Sequence, residues 1–581
     1  MLYGKISVSN LPWYCPQSVG NLSIYHLLPL SRRLSRRLSS VRRLPSSLPA
    51  VIIILFVLLT VWSRHLPVLS LADEAATATV NSILKRADEA MSRQSWGTAE
   101  RYFQQALTHD ETTTGKYIHE QLQWCRVNTL LEERYLDDSV AQQIQSTTPN
   151  QARTLLNQTI ALIQKNYYQT FDFKGLLTKS LLQLQAATEN PQIYQQYPVS
   201  DQALAKLRHQ IKELRGRLFN LPENDISSLK LMVSSLCNIN IDGGIGESWP
   251  PLELAYALTD NLDKYSHLLS PSQYNALRNR LNGSYVGTGL DLILVGEYPL
   301  VFDVVDESPA QKAGVEPGDL ILAVDGIKCK NKTDSEISKL LTGQARVSVN
   351  IMLQRNHKVF SVSISRTEVA SPSVRYVHML NEQTGFLRVA SFDHDTALEM
   401  RRGVEKLRRL GAKFLLIDLR SNGGGVMTSA IDAVRLFIDS GTIVTMQTAG
   451  EKIKYTAGGD NFVCYRLPLA LLVDEKTASA AEIFVAALQD HRRAVVIGKK
   501  TLGKAVVQTI FNLKPAQNAL CITTAKYFPP NKYDFHQKGL TPDITLEKDP
   551  LPLLNDTCQQ NMKSYLSPDN PAIKVAVNIL H

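Results

Sequence analysis

Short apolar segments alternate with amphipathic helical segments between Thr367 and about Leu546, and this alternation restricts the fold more than any other feature. Three apolar segments have the length of buried strands, and they lie at Phe414–Leu419, Leu469–Val473 and Val495–Ile497. Apolar residues recur at helical spacing in Thr396–Leu410 and Ala480–Gln489. Strands that alternate with helices build a sheet covered by helices. We therefore predict an α/β core over residues 369–548.

Residues 284–368, which precede this core, show short β-rich runs separated by Gly, Pro and Asp turns. The runs lie at Gly289–Leu294, Leu300–Val305, Leu320–Val324, Val347–Leu353 and Val359–Ile364. Five such runs are typical of one small β-domain. The sequence thus predicts a compact β-domain inserted before the α/β core, and the chain as a whole is expected to be multidomain α+β.

The region before Ser284 is predicted to be helical. In residues 75–140 the apolar positions recur at i, i+3 and i+4, as in Ala90, Trp96, Ala99, Phe103, Ala106 and Leu107. This spacing resembles part of a tetratricopeptide repeat. Only one copy is visible and stacked repeats need about three, so a plain helical hairpin is the alternative. Residues 145–283 read as a helical scaffold, and residues 549–581 read as a proline-rich tail without chemistry.

The N-terminal region has the features of a single membrane anchor. Six arginines lie between Arg32 and Arg43, and residues 44–63 that follow carry no charge over twenty positions. That length spans a bilayer as a helix, and the basic flank places residues 1–43 in the cytoplasm. We expect a transmembrane anchor over 44–64, with the rest of the chain outside the cytoplasm, in the periplasm if the source is bacterial. A cleaved signal peptide and a buried helix are the alternatives.

Charge and cysteine content exclude some classes of protein. The net charge of +9 comes largely from the six N-terminal arginines, so it does not indicate a nucleic-acid partner. The seven cysteines are scattered and form no CxxC pair, so we predict neither a metal site nor a disulfide framework.

Ser479 is a candidate nucleophile because it lies after the apolar strand Leu469–Val473 and at the start of a helix. At a helix N-terminus the free amides favour an oxyanion, so the amide of Ala480 is a candidate donor to a tetrahedral intermediate. A serine N-cap uses the same position and residue type, and this alternative stays open.

Lys504 is a candidate general base because it lies between Gly503 and Ala505, whose small side chains let the lysine enter an apolar site. Desolvation lowers the pKa of a buried lysine by up to about 3–5 units, which makes a neutral amine available. A surface charge is the alternative. No histidine shows a local triad signature, although sequence distance does not exclude His491 or His536.

Two glycine-rich segments are candidate binding loops. Gly423, Gly424 and Gly425 follow the strand Phe414–Leu419, where their amides can approach an anion closely, or form only a flexible turn. In the β-domain, the segment Gly287–Leu290 precedes a strand, and such a loop beside an open strand edge can hold the C-terminal carboxylate of a peptide.

Together these segments resemble the C-terminal processing peptidases, which are tail-specific serine proteases of family S41 with an embedded PDZ domain. The resemblance covers residues 250–548. The segment Asn261–Ser266 is similar to the family's LDPYS motif, and Ser479–Glu482 is similar to its SASE motif. Lys504 and Gln508 match its GKxxxQ motif, and Lys504 follows Ser479 by twenty-five positions, which is the family's spacing.

The resemblance implies specific roles. Ser479 would be the nucleophile and Lys504 the general base, with Gln508 beside it. Asp490, in the family's ALQD motif, would support the lysine. The oxyanion hole would consist of Gly425 and the amide of Ala480. The PDZ carboxylate loop would consist of Gly287, Thr288, Gly289 and Leu290, and the protease core would have a crotonase-like α/β fold.

The implied activity is endoproteolysis near the C-termini of proteins, with protein or peptide substrates that have free C-termini. No cofactor or metal is implied, and a homo-oligomer or an adaptor on the helical region is compatible with the pattern. Two departures occur, since Ala481 replaces a usual serine and Ala505 replaces a usual glycine. They leave the rate open. The rival interpretation is an inactive PDZ scaffold that assembles partners outside the cytoplasm.

Overall fold

The computed structural model describes residues 80–109, 115–190, 193, 199–222, 229, 231–234, 246–295, 297–458, 465–514, 517–546 and 570–581. The chain divides into two compact units, residues 1–122 and residues 123–581. Strands are numbered β1–β19 and helices α1–α14 along the chain.

The described part of the first unit is helical. A helix over residues 80–92 is followed by α1 (Trp96–His109) and by the start of α2 (Gly115–Tyr135). The side chains that share the interior are Ala87, Ala90, Ala99, Phe103, Ala106 and Ile118. The predicted helical spacing is thus observed, because four of the six apolar positions that carried it are buried.

The second unit begins with a helical region whose apolar faces form one core. Its helices are α3 (Asp138–Ser146), α4 (Pro149–Asn166), α5 (Phe173–Ala187), α6 (Asp201–Phe219) and α7 (Trp249–Asp260). This core also includes Leu520 and Ile522, which belong to the strand Ala519–Phe528.

Buried polar groups join this helical region to that strand. Gln143 Nε2 donates to Asn518 Oδ1 at 2.5 Å, and Asn518 Nδ2 donates to Leu269 O at 2.9 Å. Deeper in the helices, Arg134 forms buried ion pairs with Glu253 and Asp260. Separating the partners of such a buried pair leaves an uncompensated charge in the protein interior, which is strongly destabilising. These contacts therefore fix the position of the helices.

The predicted β-domain is antiparallel, and the chain enters and leaves it through a strand pair, β2 (Ser284–Gly287) with β9 (Thr367–Ala370). Its six-stranded sheet has the order β3-β4-β5-β7-β8, and β6 pairs with β5. The strands are β3 (Leu290–Val295), β4 (Tyr298–Val304), β5 (Leu320–Val324), β6 (Ile327–Lys328), β7 (Ser348–Arg355) and β8 (Lys358–Ser365). Helices α9 (Pro309–Lys312) and α10 (Asp334–Leu341) complete it. Strand β3, directly after the glycine loop, is an edge strand.

The α/β core is a six-stranded, mostly parallel sheet. It consists of β10 (Val374–Met379), β11 (Thr384–Val389), β12 (Phe414–Asp418), β15 (Leu469–Val473), β16 (Val495–Gly498) and β19 (Ile544–Thr545), in that order. Only β10 runs antiparallel to its neighbour. One face packs against α11 (Thr396–Arg409), α12 (Met427–Arg435) and α13 (Ala480–Asp490). The predicted alternation of strands and helices is confirmed.

The opposite face of this sheet is covered by α14 (Pro571–Leu580), which buries Ala572, Ile573 and Ala576 against β12, β15 and β16. The tail therefore does more than the proline-rich interpretation implied. Its last residues have apolar side chains at helical spacing, and Pro571 occupies the first turn, where proline is tolerated.

A second, antiparallel sheet lies beside the core. Its strands are β1 (His267–Leu269), which precedes α8 (Pro271–Leu281), then β13 (Gly441–Thr448), β14 (Lys452–Ala457), β17 (Val506–Asn512) and β18 (Ala519–Phe528). The order is β1-β18-β13-β14, and β17 pairs with β18. Strand β18 thus has one end at the helical region, through Asn518, and the other end at Tyr527.

The predicted anchor over 44–64 and the basic segment before it lie outside the described residues. In the part of the chain that the structure describes, no helix is both long enough and apolar enough to cross a membrane. Cys329 and Cys521 carry free thiols.

Candidate active site

Ser479 occupies a strained turn between a strand and a helix. Strand β15 ends at Val473, and α13 begins at Ala480, directly after the serine. The backbone angles of Ser479 are φ 58° and ψ −119°, a combination that residues other than glycine rarely adopt. Such a conformation costs about 1–3 kcal/mol and persists only when its surroundings enforce it. A strand-to-helix turn of this kind exposes a nucleophilic hydroxyl at the helix N-terminus.

The glycine turn after β12 packs directly against the turn of Ser479. A Cβ atom on Gly424 would lie 2.7 Å from Ala478 O and 2.8 Å from Ala480 N. A Cβ atom on Gly425, which has φ 143°, would lie 1.8 Å from Phe392 O. Only glycine therefore permits this approach. Among the described turn and capping hydrogen bonds, the amides of Gly425 and Ala480 donate none, so both can serve an oxyanion.

The side chain of Asn422 fixes this turn from below. Its Oδ1 accepts from Gly424 N at 2.9 Å, its Nδ2 donates to Val389 O at 2.8 Å, and its carbonyl accepts from Ala478 N at 2.9 Å. Asn422 is fully buried. The glycine turn is thus rigidly joined to both the sheet and the segment that carries Ser479.

Glu482 joins the Ser479 turn to the loop that carries Lys504. Its Oε2 accepts from Ser479 N at 2.8 Å and from Lys504 N at 2.8 Å. Its Oε1 accepts from Gly503 N at 2.7 Å and from the Thr501 hydroxyl at 2.5 Å. The side chain is fully buried, and burial raises the pKa of Glu482 while the four donors oppose that shift. One carboxylate therefore holds both candidate catalytic segments.

Tyr527 holds the same two segments from the opposite side. Its hydroxyl lies 2.9 Å from Ser479 O and 2.6 Å from Lys504 O, and its backbone amide donates to Ala505 O at 3.0 Å. The ring is buried, and burial raises the pKa of Tyr527 well above its usual value. It therefore acts as a neutral donor that fixes carbonyl oxygens of both segments.

The side chain of Lys504 lies in a partly apolar environment. Its Nζ is 5.0 Å from the centre of the Tyr265 ring, and the Cys521 thiol is close enough to affect its charge. Burial lowers the pKa of Lys504 below its usual value of 10.5, and Arg280 acts in the same direction. Of the described contacts, none is a hydrogen bond between Lys504 Nζ and Ser479 Oγ. The contacts of Glu482 and Tyr527 fix the two backbone segments, and catalytic hydrogen bonds often tighten only when a substrate binds.

The two remaining candidates behave differently. Gln508, on β17, has a buried Nε2 atom without a hydrogen-bond partner among the described residues. Asp490 accepts from Asn531 N at 2.8 Å and interacts with Tyr533, and its described contacts do not include Lys504. The reason is position. Asp490 lies about 12 Å along α13 from Glu482, which holds the Lys504 loop. The structure does not bring Asp490 and Lys504 together.

The glycine loop of the β-domain, residues Gly287–Leu290, lies at the start of the edge strand β3. Gly287, Thr288 and Gly289 are buried, and Leu290 begins the edge strand β3. Gly289 has φ 89°, and a Cβ atom there would lie 2.2 Å from the Ser308 Cβ. The loop is held by hydrogen bonds from Ala310 N to Thr288 O and from Val305 N to Gly289 O, both 2.9 Å.

The core contacts this domain close to the loop. Arg375 Nη1 lies 2.8 Å from Asp291 on β3, and the Tyr376 hydroxyl donates to Asp303 on β4 at 2.6 Å. Tyr376 has φ 55° at a register shift in β10, which turns it toward the PDZ domain. Within the described residues, no group of three or more His, Cys, Asp or Glu side chains is placed to hold a metal ion.

Replacing Glu482 with glutamine is expected to destabilise the whole site. The amide group supplies one acceptor oxygen where four donors converge, and its NH2 group faces two of them. We expect the free energy of unfolding to fall by about 2–3 kcal/mol. Urea denaturation measures this change, and Glu451→Gln, at an exposed position, is the control. A loss equal to that of the control would show that the carboxylate does not hold the two segments.

Comparisons with known proteins agree with this architecture. Residues 383–546 match peptidase family S41, and residues 301–355 match the PDZ domain. A carboxyl-terminal-processing protease of Picosynechococcus sp. (strain ATCC 27264 / PCC 7002 / PR-6) is 33% identical over 296 residues, covering 50% of this chain and 71% of that protein.

A CtpA-like serine protease of Staphylococcus aureus (strain N315) is 31% identical over 287 residues, which are 49% of this chain and 57% of that protein. A solved structure of a photosystem II D1 C-terminal processing protease covers 73% of this chain and 99% of its own, at 23% identity and a TM-score of 0.41. The Picosynechococcus protease is 33% identical to this chain over a region that covers 71% of that protein. The chain therefore belongs to peptidase family S41.

Proposed function

We propose that this chain is a serine endopeptidase that cleaves proteins near their C-termini, with Ser479 as nucleophile and Lys504 as general base. One observation carries the proposal most: a single buried carboxylate, Glu482, accepts hydrogen bonds from the backbone amides of both residues. Two segments twenty-five residues apart are thereby held by one side chain, one with a serine in a strained turn and the other with a lysine of lowered pKa.

The reaction follows from this arrangement. Lys504 Nζ accepts the proton of the Ser479 hydroxyl while Oγ forms a bond to the scissile carbonyl carbon. The resulting oxyanion accepts hydrogen bonds from the amides of Gly425 and Ala480. The carbon–nitrogen bond then breaks, and the Lys504 ammonium gives its proton to the leaving amine. Water, deprotonated by the same lysine, hydrolyses the ester and regenerates Ser479.

The positive end of α13 adds to oxyanion stabilisation, because Ala480 is the first residue of that helix. Losing one donor of an oxyanion hole typically lowers kcat by about 10²–10³-fold. Gln508 offers a further donor, since its buried Nε2 has no hydrogen-bond partner in the described part of the chain. A bound substrate, or a different position of the Lys504 segment, can supply the acceptor. We assign Asp490 to holding the 531–533 loop and give it no role at the base.

The PDZ domain is proposed to select the substrate. The C-terminal carboxylate would bind the amides of the Gly287–Leu290 loop, and the preceding residues would add as a strand to the open edge of β3. Two observations support this: β3 is an edge strand of the described sheet, and Gly289 has a left-handed backbone conformation directly before it. An upstream segment of the same polypeptide would then reach Ser479.

We further propose that residues 44–64 anchor the protein in a membrane, with the N-terminus in the cytoplasm and the protease domain outside it. The support is the uncharged segment with its basic flank. The anchor would hold the enzyme near substrates of the membrane or of the space beyond it.

Substrate selection by the free C-terminus can be tested with one pair of peptides. We expect the purified full-length protein to cleave an unstructured peptide with an apolar tail and a free carboxylate. The same peptide with an amidated C-terminus should show a KM higher by about tenfold or more, because the charged hydrogen bonds to the loop are lost. Mass spectrometry of the fragments gives the cleavage site and the rate. Equal KM values for both peptides would exclude carboxylate recognition.

A further inference from the structure

The loop that carries Lys504 is held by an unusual number of hydrogen bonds. The amides of Gly503 and Lys504 donate to Glu482, and Gly503 O accepts from Gln537 N at 2.7 Å. Tyr527 satisfies the carbonyl oxygens of Lys504 and Ala505. One backbone group remains, the amide of Ala505. It donates at 3.3 Å to Nδ1 of His536. The residue directly after the proposed base is therefore held by an imidazole.

This hydrogen bond defines the tautomer of His536. An N–H group donates to Nδ1, so Nδ1 carries no proton and the neutral ring has its proton on Nε2. Protonation of the ring would place a second N–H against the Ala505 amide. Two donors would then face each other, and the contact that holds Ala505 would be lost.

The surroundings of His536 favour its neutral form. Burial lowers the pKa of His536 below 6.5, and Lys526 and Lys264 act in the same direction. Asp534 and Asp263 oppose them. Asp534 is itself paired with Lys526 at 2.7 Å, and its Oδ1 accepts from His536 N at 3.0 Å. These surroundings favour the neutral ring at about pH 7, and the ring gains a proton as the pH falls further.

The His536 ring also lies near Tyr265, whose ring is close to the amine of Lys504. The centre of the His536 ring is 6.2 Å from that of Tyr265, and Lys504 Nζ lies 5.0 Å from the same Tyr265 ring. A movement of His536 is thus transmitted to Lys504 in two ways, through the Ala505 backbone and through the Tyr265 ring.

We propose that His536 is a positioning residue for Lys504: its neutral imidazole holds the base loop through the Ala505 amide, and protonation of the imidazole releases that loop. The proposal rests on the proposed function, in which Lys504 is the base. Acid would then lower the activity in two ways, by protonating Lys504 itself and by protonating His536. His536 does not touch the reacting atoms.

The test compares the wild-type protein with His536→Gln and His536→Ala. Glutamine has a carbonyl oxygen that accepts from the Ala505 amide and does not titrate, whereas alanine has no acceptor. The peptide with a free C-terminus is the substrate, and kcat/KM is measured from about pH 8 to about pH 4.5, across the titration range of histidine. His394→Gln, the same change at an exposed histidine, is the control.

Two results are expected. At about pH 8, His536→Ala should lose about tenfold in kcat/KM, whereas His536→Gln should stay within about twofold of the wild type. As the pH falls, the ratio of wild-type to His536→Gln activity should decline by about tenfold in total and then level off near the ratio of His536→Ala to His536→Gln activity, because only the wild type gains a proton at this position. The titration of Lys504 cancels in this ratio.

The proposal is overturned if His536→Ala equals the wild type at about pH 8, or if the ratio stays constant while circular dichroism shows both proteins folded. An inactive wild-type protein would instead contradict the proposed protease function. Active protein with a constant ratio would remove only the role of His536.

Discussion

Changing Ser479 to alanine is expected to lower kcat/KM for the peptide with a free C-terminus by about 10⁴–10⁶-fold, because the proposed mechanism forms its covalent intermediate on this hydroxyl. The substitution removes one oxygen from a half-buried side chain, and the Glu482 and Tyr527 contacts to its backbone remain. Folding should therefore be retained. Progress curves with high enzyme concentrations measure the residual rate.

Ser440→Ala is a matched control, since that serine is exposed and lies outside the site. Its activity should equal that of the wild type. Binding of the peptide to Ser479→Ala should also be unchanged, because the PDZ loop is intact. Cleavage by Ser479→Ala within tenfold of the wild-type rate would mean that another residue is the nucleophile.

Changing Lys504 to alanine is expected to lower kcat/KM by about 10²–10⁴-fold, the usual contribution of a general base. Lys504→Arg should be equally inactive, because a guanidinium keeps its proton throughout the accessible pH range. Lys500→Ala, at an exposed lysine of the same segment, is the control and should retain full activity. Initial rates at a fixed pH measure all three variants.

The change of kcat/KM with pH tests whether Lys504 acts as a base. Only the neutral amine accepts the Ser479 proton, and burial lowers the pKa of Lys504 below 10.5. The active fraction therefore rises as the pH rises toward that lowered pKa, and it levels off above it. Wild-type kcat/KM should increase with pH through the neutral range. A rate that falls with pH over this range would contradict a lysine base.

The sequence allowed Ser479 and Lys504 to be proposed as a catalytic pair because both residues lie in short motifs at a fixed separation. Strand β15 and the start of α13 also have the predicted bounds, since an apolar run and a helical pattern meet there. The strained backbone of Ser479 was not predictable. A serine before a helix is ordinarily a cap with extended backbone, and only tertiary contacts enforce the observed angles.

The role of Glu482 had a signal in the sequence that was not used. Glu482 is the only charged residue in the first nine positions of α13, which are otherwise apolar, and a buried carboxylate requires several donors. The described contacts of Asp490 do not include Lys504. Its motif position suggested a catalytic role, but a motif gives no distance along the helix axis.

Other parts of the site depend on contacts between distant residues, which a single sequence does not reveal. Tyr527 is separated by 48 residues from Ser479, and Asn518 by 375 residues from Gln143. The burial of α14 against the sheet also follows from tertiary packing, because ten apolar-rich residues near a chain end give no indication of their partner.

The central claim is that Ser479 is a nucleophile activated by Lys504, and covalent labelling tests it most directly. The full-length protein is treated with a fluorophosphonate, which reacts with activated serines, and the adduct is located by peptide mass spectrometry. The account predicts one adduct, on Ser479, that disappears in Ser479→Ala and forms much more slowly in Lys504→Ala. An adduct on another residue that abolishes cleavage, or labelling of Ser479 at an unchanged rate in Lys504→Ala, would contradict it.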